Sequence, residues 1–133
     1  MDIRGACHCG TIAYDAVVDP ARVTICHCTD CQALTGSAYR VSVSTPRESF
    51  RLRRGTPKIY IKTGDSGARR AQAFCPDCGS PLYTYAADNP TTYGLRVGCI
   101  EERHALPPTR RIWCRSALDW SLDLRGLEMR ERE

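Results

Sequence analysis

Seven of the nine cysteines fall in three tight groups: Cys7-His-Cys9, Cys26-His-Cys28-Thr-Asp-Cys31 and Cys75-Pro-Asp-Cys78. Closely spaced thiolates are what a soft divalent metal binds, and a structural zinc site takes four of them in a tetrahedron. Seven sulfurs are one short of two complete sites. One metal can be fully enclosed while another keeps a position for something else, and the fold must bring distant stretches of chain to shared ions.

Cysteine spacing can also mean disulfides, so compartment matters. The count is odd, the spacings are C-x-C and C-x-x-C, and Met1-Asp2-Ile3-Arg4-Gly5 has neither the basic nor the apolar stretch of a signal peptide. Metal ligation in a cytoplasmic protein is the expectation. No apolar run approaches the roughly 18 residues of a membrane span. At 133 residues the chain is expected to form one domain over 1–133 with a modest core. The net charge of +4 is small, and among nineteen cations only Lys58 and Lys62 are lysines. Arginine grips carboxylates and phosphates in two places. No basic run exceeds two residues or is interleaved with aromatics, so nucleic-acid binding is unsupported.

Gly and Pro punctuate a series of short segments, which predicts a mainly β fold with irregular connections. From Ala38 to Ser44, Tyr39, Val41 and Val43 alternate with Arg40, Ser42 and Ser44. Lys58 to Lys62, Leu82 to Tyr85, Tyr93 to Ile100 and Arg111 to Cys114 also read as strands. Thr63-Gly-Asp-Ser-Gly67, with Arg69-Arg70 after it, reads as a polar hairpin end. The single helix signal is Thr29-Asp30-Cys31-Gln32, a capping box with Thr29 as N-cap and Gly36 closing about two turns. Cys31 would then lie in the first turn, where free N–H groups favour a thiolate.

Sulfur spacing leaves two pairings open. Cys28 and Cys31 can join Cys75 and Cys78 as a zinc ribbon, with 43 residues between the pairs. Alternatively, Cys7 and Cys9 join Cys75 and Cys78, and Cys26, Cys28 and Cys31 form a three-thiolate claw. The second is preferred, because residues i, i+2 and i+5 converge on one metal more easily than they divide between two. Gly79 suits the left-handed turn that a metal knuckle often needs.

The motifs C-H-C-G-T-I, C-H-C-T-D-C-Q-A-L-T-G-S-A and F-C-P-D-C-G-S-P-L resemble those of the glutathione-dependent formaldehyde-activating enzyme family, whose domain also occurs in centromere protein V. The likeness continues through Leu95-Arg-Val-Gly98 to the Trp120 region. It implies an Mss4-like fold of several small antiparallel sheets and two zincs. A structural zinc would sit on Cys7, Cys9, Cys75 and Cys78, and an open one on Cys26, Cys28 and Cys31. The chain departs from the family pattern at Cys99-Ile-Glu-Glu102 and at Cys114. Either cysteine is a small buried hydrophobe, or one completes the second site and silences it.

A zinc on three thiolates is a poor Lewis acid whose open position suits another soft ligand, namely a substrate thiol. With the resemblance, this points to a carbon–sulfur lyase or synthase acting on a glutathione–aldehyde adduct. Arg40, Arg69, Arg70 and Arg96 are the candidates for holding glutathione's carboxylates. His27, flanked by ligating cysteines, is expected to point away. The alternative reading is a non-catalytic zinc module that binds a protein or nucleic acid.

Overall fold

The computed structural model describes residues 1–133 as ten strands, one α-helix and several 3-10 turns. A three-stranded antiparallel sheet runs in the order β1 (Asp2–Ala6), β2 (Ala13–Val17), β5 (Phe50–Arg54). The remaining strands make a seven-stranded sheet in the order β10 (Arg110–Ile112), β3 (Val23–Cys26), β4 (Arg40–Pro46), β9 (Thr92–Arg96), β8 (Pro81–Ala86), β7 (Arg69–Phe74), β6 (Lys58–Thr63). All its pairings are antiparallel except β10 with β3. The mainly β expectation with one short helix holds. No helix is long and apolar enough to cross a membrane.

Side-chain alternation decides what each sheet face meets. Val43, Leu95, Tyr83 and Ala73 lie on one face of the large sheet by register. They join Ile3, Tyr14 and Ala16 of the small sheet in one buried cluster. Phe50, Tyr83, Tyr85 and Tyr93 extend it as an aromatic stack with ring centroids 4.8–6.1 Å apart. The opposite face of the large sheet carries Cys26, Arg40, Ser42, Arg96, Thr84, Gln72, Arg70, Tyr60, Lys58 and Lys62. That face is polar and rich in cations.

Helix α1 (Thr29–Thr35) follows β3 directly and crosses this polar face. Its C-cap is Gly36, left-handed at φ 61°, as expected. The N-cap is Cys28 rather than Thr29, because a cysteine sulfur does the work the capping box assigns to a hydroxyl. Gln32 accordingly turns its amide elsewhere. Lys62 on β6 reaches Asp30 of α1 at 2.6 Å, so the sheet curls until its last strand meets the helix beyond β3. The pair is partly exposed and contributes no more than about 1 kcal/mol, but it ties α1 to the edge strand of the sheet.

Several strand ends differ from the sequence expectation. β4 starts at Arg40 and not Ala38, because Gly36 is still turning the chain out of the helix. The Tyr93–Ile100 segment stops pairing at Arg96, because Val97–Cys99 turns away as a 3-10 helix while β4 continues to Arg40 and β8 to Pro81. Trp113, left-handed at φ 56°, ends the Arg111–Cys114 segment at Ile112. The polar Gly64–Gly67 stretch does close the β6–β7 hairpin, but Arg69 and Arg70 already belong to β7.

Close packing at one glycine gives a stability prediction. A methyl group at Gly5 would sit inside the buried ring of Tyr14. Gly5→Ala is therefore expected to cost about 3 kcal/mol through displaced core side chains. A thermal melt should show a fall of about 10 °C. An unchanged melt would mean the ring has room that the packing denies it.

Candidate metal centres

Two groups of sulfurs converge. Cys7, Cys9, Cys75 and Cys78 form one and Cys26, Cys28 and Cys31 the other; within each, all Sγ atoms lie within 4.8 Å of one another. Each could hold a metal ion, and the donor chemistry is consistent with zinc. Zinc–sulfur bonds of about 2.3 Å in a tetrahedron place sulfurs about 3.8 Å apart. Cys9 Sγ stands 3.6 Å from Cys7 Sγ and 3.7 Å from Cys75 Sγ. The residues present fit the ion.

The four-sulfur group is built from two matching turns. Cys7-His-Cys9-Gly10 follows β1, and Cys75-Pro-Asp-Cys78-Gly79 follows β7. Gly10 and Gly79 are left-handed at φ 78° and 76°, which lets each chain fold back over its sulfurs. The Gly10 and Gly79 N–H groups donate to the Cys7 and Cys75 carbonyls at 3.0 and 2.9 Å. Two residues after each exposed cysteine stands a hydroxyl: Thr11 Oγ1 is 3.1 Å from Cys9 Sγ, and Ser80 Oγ is 3.2 Å from Cys78 Sγ. The Ile12 N–H donates to Cys7 Sγ at 3.2 Å. The Ser80 hydroxyl, then backbone N–H groups, lower Cys78 to about 5, and hydrogen bonds from Thr11 shift Cys9 in the same direction. Such donors stabilise thiolates, the form that ligates.

The three-sulfur group sits where β3 ends and α1 begins. The Cys31 N–H donates to Cys28 Sγ at 3.3 Å, so the helix cap and the sulfur cluster are one feature. Gln32 Nε2 donates to the carbonyls of His27 at 2.9 Å and Ser116 at 3.0 Å, tying the 113–116 segment across the start of the helix. Cys26 is held down to about 5, first by a hydrogen bond from Cys31, while Cys31 is pushed up by the same contact and by burial. The hydrogen bond between the two favours one thiolate and one thiol over two thiolates.

No fourth sulfur joins this group. Cys99 lies half-buried against the core, its thiol 3.3 Å from the Pro81 carbonyl. Its thiol is pushed up by burial and then by Cys7 and Cys78, which puts it beside the other cluster. Cys114 is exposed, contrary to a buried hydrophobe, because the Trp113 turn swings it outward. His27 is buried edge-on to Tyr39, ring centroids 5.4 Å apart, with neither ring nitrogen partnered. It is absent from the sulfur group, as are His8 and His104.

Of the four arginines singled out from sequence, three gather on the polar face. Arg96 is 5% exposed and donates to Ser42 Oγ at 2.7 Å and Gln72 Oε1 at 3.0 Å. Arg40 donates to the same Gln72 oxygen at 3.2 Å. Arg70 is half-buried beside Arg40, while Arg69 points away to Asp88 at 3.8 Å. Arg40 neighbours Cys26 across the β3–β4 register, and its charge favours the thiolates of Cys26 and Cys31. Gln72, Lys58 and Tyr60 escape sequence reasoning. Their shared face depends on a pairing register that spacing alone does not reveal.

A family model described as glutathione-dependent formaldehyde-activating enzyme matches residues 2–116. Among curated proteins, none matches significantly. The fold is similar to the crystal structure of a Rhodobacter sphaeroides protein, with a TM-score of 0.63 and 21% identity over 81% of this chain and 98% of that one.

Proposed function

Since the chain belongs to the glutathione-dependent formaldehyde-activating enzyme family, we propose that it is a zinc-dependent carbon–sulfur lyase or synthase. It acts on a glutathione–aldehyde adduct: formaldehyde plus glutathione to S-hydroxymethylglutathione, or a related thiol adduct. The supporting observation is a cluster of three sulfurs with no fourth. Cys26, Cys28 and Cys31 would hold the reactive zinc, and Cys7, Cys9, Cys75 and Cys78 a structural one. The whole of 1–133 then acts as one cytoplasmic zinc-binding unit with an Mss4-like fold.

When bound, zinc on the claw supplies an open position that favours the thiolate form of a substrate thiol. The chain's own residues do the rest. Arg40 and Arg96 set positive charge beside the sulfurs and offset the charge that a fourth thiolate would add. Gln32 fixes the mouth of the claw by holding two backbone carbonyls. In the forward direction the glutathione sulfur adds to the formaldehyde carbon. The carbonyl electron pair moves to oxygen, which takes a proton from solvent.

A second reading, a zinc module that docks a protein partner, has one observation in its favour. The chain beyond the matched residues exposes Trp120, Leu122, Leu124, Leu127 and Met129. Zinc-edge X-ray absorption with and without glutathione separates the two. The enzyme reading expects two zincs per chain and an average sulfur number rising from about 3.5 to about 4 on adding glutathione. Two zincs unchanged by thiols would sink it.

A further inference from the structure

An edge strand leaves a row of backbone N–H and C=O groups without partners, and such a row recruits another strand unless something blocks it. In the large sheet β6 is such an edge, pairing with β7 alone. Its sequence is Lys58-Ile-Tyr-Ile-Lys-Thr63, and Ile59, Tyr60 and Ile61 are 38–54% exposed. Ile59 and Ile61 stand opposite Ala73 and Ala71, on the face that elsewhere forms the core. Here that face stays open to solvent.

The chain also holds a strand-like segment that has no sheet. Leu118-Asp-Trp-Ser-Leu-Asp-Leu124 alternates apolar and polar residues without a break, the period of a strand with one face buried. In its own chain this segment joins no ladder: Asp119–Ser121 is a 3-10 turn, and Trp120 is 66% exposed. It emerges beyond β10, the edge of the sheet opposite β6.

Charge and register select the pairing. Two β6 strands meeting antiparallel about Tyr60 would set Lys58 against Lys62, so this edge repels its own kind. The tail carries the opposite charge at the same spacing, Asp119 and Asp123. With Asp123 opposite Lys58, an antiparallel ladder sets Leu122 on Ile59, Ser121 on Tyr60, Trp120 on Ile61 and Asp119 on Lys62. Apolar residues then meet apolar ones, and each aspartate meets a lysine. A slip of one residue would turn both aspartates onto the isoleucine face. Lys58 has no ion-pair partner within the protein, and Asp123 has only Arg125, two residues along. The other edges match less well. β10 has three residues, β5 spaces Arg51 and Arg53 by two, and Arg4 of β1 is already paired with Glu101 and Glu102.

We propose that residues 118–124 of one copy add an antiparallel strand to β6 of a second copy, and that the exchange is reciprocal. The product is a two-fold dimer in which each contact occurs twice. The exposed tail side chains that favoured a docking partner are thereby given one, a second copy of this chain. None of the seven clustered cysteines takes part, so the pairing stands apart from the chemistry of the claw.

Sedimentation equilibrium of the full chain, loaded with zinc, tests this. The parent is expected to be a dimer that loosens as salt rises. Trp120→Ser should weaken dimerisation more than about tenfold, the loss of a buried aromatic anchor. Asp123→Lys and Lys58→Asp should each weaken it by a similar factor, because like charges then face each other. Combined in one chain, the two reversals should restore the dimer, since the exchanged charges attract again. All three sites are exposed, so every variant should keep the parent's zinc content and circular dichroism. A parent that stays monomeric at about 100 μM, above the micromolar limit of ordinary interfaces, overturns the proposal. So does a dimer indifferent to Trp120→Ser, or a charge exchange that fails to restore it.

Discussion

Replacing Cys75 with serine is expected to remove one of the two proposed zincs and leave the protein unfolded at 37 °C. Cys75 is fully buried and belongs, with Cys7, to the hydrophobic core. Cys7 and Cys9 follow a strand of the small sheet, whereas Cys75 and Cys78 follow a strand of the large one. The four sulfurs thus join the two sheets across 66 residues of chain. Binding of a structural zinc contributes about 10–16 kcal/mol, against a net folding stability of about 5–15 kcal/mol. Losing one buried ligand removes much of that and buries a hydroxyl without a partner. Metal analysis and a thermal melt read both effects. Cys99→Ser is the control: the half-buried thiol contacts the Pro81 carbonyl, which a serine hydroxyl can also reach. It should keep two zincs and melt within a few degrees of the parent. A Cys75→Ser protein with two zincs and a normal melt would show that this cluster carries no fold.

What could be read from the sequence follows the range of each interaction. The sulfurs of Cys26, Cys28 and Cys31 meet because they are neighbours in the chain, so spacing alone groups them. Cys7 with Cys75 is a long-range choice that spacing left open and the family resemblance favoured. The strand holding Ala71 and Ala73 is not legible in the sequence although both are almost fully buried, because alanine gives little hydrophobic contrast against Arg70 and Gln72. β1 and β2 were hidden by their shortness, by Gly5 in the first and by the metal knuckle between them. The helix cap shifted by one residue because capping rules are written for oxygen and Cys28 caps with sulfur. Sequence alone does not rank the four arginines. Only the register of β4, β9 and β7 separates Arg40, Arg70 and Arg96 from Arg69.

The cap that sequence misplaced supplies the second large effect. In Cys28→Ser the hydroxyl can still accept the Cys31 N–H, since serine is among the best N-caps. Helix α1 should therefore survive, with stability changed by no more than about 1 kcal/mol. Zinc binding at the claw should not survive, because only two sulfurs would remain. Altering a residue behind a metal ligand costs about 10–100-fold in affinity or activity, so losing the ligand itself should exceed about 100-fold in turnover of glutathione and formaldehyde. The pairing of results is the point. Cys75→Ser loses a zinc and the fold, whereas Cys28→Ser loses a zinc and the chemistry. Should Cys28→Ser melt as early as Cys75→Ser, the second metal would be a structural brace as well. An open coordination position for a substrate thiol would then have lost its support, and the docking-module reading would be the stronger one.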